Sequence, residues 1–204
     1  MHISEGVLST QVLAAGGLVA AAGTAVGLKK MDYDSVMTTA LLTATFFVAG
    51  LIHIPVGPGS VHLVLGGLIG LVLGWGCFPA ILTALLLQSI FFQYGGLVVL
   101  GVNTSTMALP ALICSYLFRP WLKHQGARRQ IAAFSCGFVS MFLSCLLMAL
   151  ALATTDKGFI DAAWLVVSLH LPVMVVEGCI TMFVVIFLVK VEPDILALEG
   201  KHGI

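Results

Sequence analysis

From Ser35 to Phe118 the chain reads SVMTTALLTATFFVAGLIHIPVGPGSVHLVLGGLIGLVLGWGCFPAILTALLLQSIFFQYGGLVVLGVNTSTMALPALICSYLF, and no Asp, Glu, Lys or Arg interrupts these 84 residues. A soluble domain carries about 25% charged residues and could not leave so long a stretch bare. Two further charge-free runs flank it, Gly6–Leu28 with 23 residues and Gln130–Thr155 with 26. Each matches the ~20 apolar residues that cross a bilayer core. Across all 204 residues 60% are hydrophobic and 9% charged, and mean hydropathy is +1.12. This is the composition of a polytopic membrane protein, and it excludes a large soluble catalytic domain. Nine basic and nine acidic residues leave no net charge, so neither nucleic acid nor a polybasic lipid anchor is implied. Cys77, Cys114, Cys136, Cys145 and Cys179 are odd in number, scattered in apolar runs and without CxxC spacing. They read as packing residues, not as a disulfide framework.

Breaking the apolar runs at Gly/Pro clusters and charges predicts seven segments, roughly 7–28, 34–54, 61–76, 79–100, 104–122, 130–155 and 162–190. The third is short and rich in glycine (Gly66, Gly67, Gly70, Gly74), and is the one expected to be tilted or re-entrant. Turns within the charge-free run are tight, at Pro55–Ser60 and Cys77–Pro79, so residues 1–204 are expected to form a single transmembrane domain. The expected fold is an all-α integral membrane protein, a bundle of about seven transmembrane helices. With the N-terminus outside, Lys29, Lys30, Arg119, Lys123, Arg128, Arg129, Lys190 and Lys201 fall inside and only Lys157 outside. Positive-inside placement therefore selects an outer N-terminus and an inner C-terminus. No basic residue precedes the first apolar stretch, and Glu5 stands where a signal peptide carries positive charge, which argues against a cleaved leader. This topology puts His2, His53 and His62 at the outer face, His124 and His202 at the inner face, and His170 within the last span.

The opening Met1-His2 carries the most chemistry. Methionine aminopeptidases require a small second residue, so Met1 is expected to remain ahead of His2. The α-amine of Met1, the amide nitrogen of His2 and Nδ1 of its ring then close a five- and a six-membered chelate on one metal ion. The amine has a reference pKa near ~7.7–8.0, so part of it is unprotonated at neutral pH. Loss of the amide proton needs a strongly binding ion and enforces a planar arrangement, which points to Ni2+ or Cu2+, with Co2+ also compatible. One equatorial position stays open, and by spacing alone either His53 or His62 fills it. A dipeptide is a weak motif, and interfacial histidines with ordinary hydrogen-bond partners are the blander reading.

Met1-His2-Ile3-Ser4-Glu5-Gly6 resembles the MHIxEG opening of the CbiM/NikM family, the substrate-binding (S) components of energy-coupling-factor importers for cobalt and nickel. Gly59-Ser60-Val61-His62-Leu63 with Gly66-Gly67 resembles the family's histidine segment. Gly101-Val102-Asn103-Thr104 resembles its GxN stretch, and Glu177-Gly178-Cys179-Ile180-Thr181 its EGxxT segment. The resemblance runs in order over essentially the whole chain. It implies that Ni2+ or Co2+ is bound by the amine of Met1, the amide and ring of His2 and the ring of His62, with His53 a neighbour beyond the ligands. Asn103 is expected to hydrogen-bond a ligand ring or close the site, or else to cap the fifth span at Thr104-Ser105-Thr106.

His170 and Glu177 lie seven residues apart on one face of the last span. Buried acids in membranes mark function by default, but a structural anchor between helices is the stronger expectation for Glu177, too deep to share the outer site. Gly16, Ala20, Gly23 and Gly27 make a stripe of small residues on the first span, for packing within the bundle or, by resemblance, for docking a coupling subunit. The chain has no GxxxxGK[ST] phosphate loop, so transport energy is expected from partners. Those implied are a transmembrane coupling (T) subunit, ATP-binding cassette ATPase subunits and a small accessory membrane protein, in a bacterial or archaeal cytoplasmic membrane. A role in cobalamin biosynthesis follows for those relatives that serve cobalt. The rival reading, a haem- or quinone-binding subunit of an electron-transfer complex, needs histidines paired at bilayer depth, and only His170 lies there. No HExxH motif supports a metalloenzyme.

Overall fold

The computed structural model describes residues 2–56 and 59–196, and of 53–56, 59, 60, 157, 162 and 163 the backbone alone. The described helices are α1 (Thr10–Lys30), α2 (Tyr33–Leu51), α3 (Gly66–Leu73), α4 (Cys77–Phe92), α5 (Leu100–Leu122), α6 (Ala127–Thr155) and α7 (Ile160–Val191). One antiparallel hairpin, β1 (His53–Val56) and β2 (Gly59–His62), joins α2 to the α3 segment. Helices this apolar on every side have no aqueous face, and their hydroxyls turn back onto their own backbone. Thr39, Thr43, Thr104 and Ser115 each donate at 2.7 or 2.8 Å to a carbonyl three or four residues earlier.

Six stretches are long and apolar enough to cross a membrane, Gly66–Phe92 counting as one of them. That stretch is not a single pass, as α5 demonstrates when used as a ruler. The Leu71 carbonyl at the end of α3 accepts from Arg119 Nη2 at 2.8 Å, near the far end of α5. The 3-10 turn Gly74–Gly76 follows, with Gly74 at φ +53° and Trp75 Nε1 donating to the Tyr116 hydroxyl at 2.9 Å. Cys77 Sγ then reaches back to the Ala108 carbonyl at 3.6 Å, and Gln88 lies beside His2. So α3 descends, the chain reverses at the glycine turn, and α4 climbs back. The third of the seven expected spans is therefore corrected to a strand, an irregular stretch Leu63–Leu65 and eight residues of helix. Its glycines bring backbones together where a full helix would need side-chain spacing: a Cβ at Gly67 would lie 2.6 Å from Gly137 Cα on α6.

The small residues of α1 are used inside the bundle. Ala20, Gly23 and Gly27 are buried; Gly23 lies under the Phe78 ring, and Gly27 against Pro79 and the Trp75 carbonyl. Cys77, Cys114, Cys136 and Cys145 are buried members of two hydrophobic clusters, as packing residues should be. A third cluster, Ile3, Leu8, Val99, Val102, Ala151 and Leu152, gathers around the N-terminal segment. Residues 2–9 and the 3-10 turn Pro193–Leu196 lie on opposite faces: Ser9 N donates to Thr155 Oγ1 at 3.2 Å, whereas Asp194 joins Lys30 and Arg119 around a cleft of about 980 Å³.

Candidate metal centre

The segment before α1 enters the bundle and is fastened there. Asn103 holds the main chain of Ile3 from both sides: its Oδ1 accepts from Ile3 N at 3.0 Å and its Nδ2 donates to Ile3 O at 3.1 Å, all buried. Glu5 Oε1 accepts from Val98 N at 3.0 Å. The loop between α4 and α5 closes over this contact at Gly95, φ +79°, where a Cβ would lie 2.9 Å from Asn103 Nδ2 and 3.7 Å from His2 Cβ. Glycine is needed there for its conformation and for its lack of a side chain.

These fixings bring two imidazoles together. His2 Nδ1 and His62 Nε2 are 3.2 Å apart, and the rings stack with centroids 4.8 Å apart and planes 28° from parallel. The remaining nitrogens face groups that only accept. Gln88 donates through Nε2 to the Phe47 carbonyl at 3.0 Å, so its Oε1 accepts from His2 Nε2 at 3.0 Å. His62 Nδ1 donates to the Leu63 carbonyl at 3.0 Å. In neutral imidazole the nitrogen opposite the N–H carries a lone pair, so with the outer N–H groups placed in this way the two nitrogens that meet are the unprotonated ones. Metal-bound histidines are fixed in this way by donating their other N–H. Nitrogens at right angles on bonds of about 2.0 Å lie about 2.8 Å apart, and the 3.2 Å separation is close to that. Among the described residues no group of three or more His, Cys, Asp and Glu side chains is arranged to hold a metal. Two rings alone need further donors, and the main chain beside His2 is where nitrogen is at hand.

Below the rings, Glu177 of α7 is fully buried. Its Oε1 accepts from Val64 N and, at 2.8 Å, from Leu65 N, the residues just before α3. Leu65 is left-handed at φ +55°, a conformation that a non-glycine residue holds only when its surroundings impose it. Through these two bonds Glu177 holds the chain that carries His62.

The family described as CbiM, cobalt uptake substrate-specific transmembrane region, matches residues 2–195. The chain belongs to the CbiM family. A Haemophilus influenzae protein named for metal transport is 45% identical over 199 residues, covering 96% of this chain and 97% of that one. The cobalt transport protein CbiM of Geobacter sulfurreducens is 28% identical over 223 residues, 98% of this chain and 62% of its own. A solved structure titled as a transition metal transporter superposes with a TM-score of 0.80 at 26% identity, covering 95% of this chain and 94% of that one. This CbiM-family chain is thus a multi-pass membrane component of the cobalt and nickel transport family.

The segments singled out in the sequence converge from distant parts of the chain: His2, His62 and Asn103 at the ring pair, Glu177 beneath it. Met1 lies outside the described residues, as do the side chain of His53 and all of His202; the backbone of His53 pairs with that of His62 across the hairpin. Asn103 does not cap a helix, because α5 begins at Leu100 and Asn103 sits in its first turn, bonded to Ile3. His170 is buried on α7 with Nδ1 donating to the Val166 carbonyl at 2.7 Å. His124 is on the opposite face beside Trp121. Sequence reasoning missed Gln88, which sets the tautomer of His2; its one signal was a lone amide inside the apolar run LLLQSIFF.

Proposed function

We propose that this chain is the substrate-capturing component of a Ni2+ or Co2+ importer, binding the ion through the Met1 amine, the His2 amide and Nδ1, and His62 Nε2. The observation that carries the reading is the approach of His2 Nδ1 and His62 Nε2 to 3.2 Å, with the other nitrogen of each ring on an acceptor oxygen. The amine and ionised amide would supply the remaining equatorial nitrogens and a planar field, which suits Ni2+. In that chelate His62 stands opposite the amide and at a right angle to His2 Nδ1, the relation the spacing of the rings fits. His53 is a neighbour beyond the ligands, and His170 a buried structural histidine.

The site faces outward in this reading. Lys29, Lys30, Arg119, Lys123, Arg128, Arg129 and Lys190 all lie on the face away from the ring pair, and positive residues stay inside. The chain has no phosphate loop of its own, so a transmembrane coupling subunit and ATP-binding cassette subunits drive import across the cytoplasmic membrane, with a small accessory protein as a further partner. The names of relatives, cobalt for one and fused nickel transport for another, support both ions. Titration of the purified chain with Ni2+, followed by absorbance, tests this. A ligand-field band of planar Ni2+ that saturates at one ion per chain is expected. A Soret band, or binding that survives loss of both His2 and His62, would overturn it.

A further inference from the structure

We infer that Glu177 acts on the metal through His62, across the single peptide group that joins Leu63 to Val64. The inference rests on the proposed coordination by Met1, His2 and His62, and concerns a residue outside it. The carbonyl of that peptide accepts His62 Nδ1–H at 3.0 Å, and its N–H donates to Glu177 Oε1. Carboxylates that accept directly from a metal-bound histidine fix its tautomer and raise its basicity. Here one amide stands between the two. A carboxyl oxygen on the N–H end polarises the amide and makes its carbonyl a stronger acceptor. The effect on His62 is of the same kind: Nδ1 keeps its proton, and Nε2 becomes a better donor to the ion.

The second bond, from Leu65 N at 2.8 Å, holds the left-handed turn that lets the chain leave His62 and start α3. The backbone bearing Glu177 is itself fixed, since a Cβ at Gly137 of α6 would lie 2.6 Å from the Glu177 carbonyl. Glu177 Oε2 is buried without a hydrogen-bond partner among the described residues. A carboxyl group is costly at this depth, and an apolar side chain would serve for helix packing alone. Glu177 is a positioning residue: it aims and tunes His62 through a backbone segment from which it is 112 residues distant at Leu65.

The test is Ni2+ binding by the full chain in detergent, read by titration and by the ligand-field band. Glu177→Gln keeps an acceptor oxygen but weakens it. It should lower affinity by about 10–100-fold and move the band toward that of His62→Ala. In the His62→Ala background the same substitution should change neither. Wild-type affinity in Glu177→Gln, or an equal further loss in the His62→Ala background, overturns the inference and leaves the coordination standing. Wild-type binding by His62→Ala overturns both. Should Glu177→Gln not fold, hydrogen exchange at the Val64 amide of the unaltered chain decides: Ni2+ should slow it, and an unchanged rate refutes the link.

Discussion

Asn103→Leu removes the grip on Ile3 while leaving the size of the side chain nearly unchanged. Two buried hydrogen bonds are lost, at 3.0 and 3.1 Å, and the N–H and carbonyl of Ile3 are left facing methyl groups. An orphaned buried group costs about 1–3 kcal/mol. Water reaching the terminus from the outer face would relieve part of this, so about 2–4 kcal/mol is a reasonable total. The loss falls on the docked state of residues 1–5, and apparent affinity drops in proportion to the docked population. At about 1.4 kcal/mol per decade, the upper bound on the loss of Ni2+ affinity is roughly 30- to 700-fold. Calorimetric titration reads it directly. Ser105→Ala is the control, since Ser105 Oγ donates to the Gly16 carbonyl at 2.7 Å on the same helix but away from the terminus. It should leave affinity within about threefold, a lost bond of about 0.5 kcal/mol at most reaching the site. Unchanged binding by Asn103→Leu, or an equal loss in Ser105→Ala, would refute the idea that Asn103 sets the terminus in place.

Three further outcomes are expected. Titration of His62→Ala should show a loss of at least ~10–100-fold, the scale that even outer partners of metal ligands reach, with His53→Ala affected less and His124→Ala least; the reverse order for His62 and His53 would reassign the fourth donor. Binding releases protons from the Met1 amine and the His2 amide, so affinity should rise with pH below the amine's range, by at least about tenfold per unit. A flat profile between pH 6 and 7.5 would remove both the amine and the amide from the donor set. Gly126→Cys, between α5 and α6, should resist an impermeant thiol reagent in intact cells, and efficient labelling there would put the ring pair on the wrong side of the membrane.

The runs that predicted the long helices could be read because a bilayer demands length and lack of charge rather than a fine pattern, and Gly6–Leu28 and Gln130–Thr155 meet both demands. The third segment stood out as short and rich in glycine, but its form could not be read. Its glycines suit a full helix in lipid as well as a half-helix pressed on Gly137, and only the contact decides. Asn before Thr-Ser-Thr looks like a cap, but the helix starts three residues earlier, and the Asn103 side chain holds the main chain of Ile3 rather than a ligand ring. Met1-His2 carried its chemistry openly, since chelate ring size is fixed by covalent order. Gln88 and Glu177 act on histidines 86 positions away and through a peptide group, and no local spacing reports either relation.

In the proposed coordination the chain's own amino terminus binds the ion, and intact-mass analysis of the Ni2+-loaded protein is the decisive test. Metal should appear only on molecules that begin at an unblocked Met1 followed by His2. Formylation removes the amine lone pair, and one alanine inserted between Met1 and His2 adds a second peptide nitrogen that takes the place of His62. The formylated chain should lose loading, and the extended chain should bind Ni2+ without help from His62, with every helix intact in both. Ni2+ retained at full stoichiometry and wild-type affinity by the formylated chain, or loading of the extended chain that still depends on His62, would contradict this coordination.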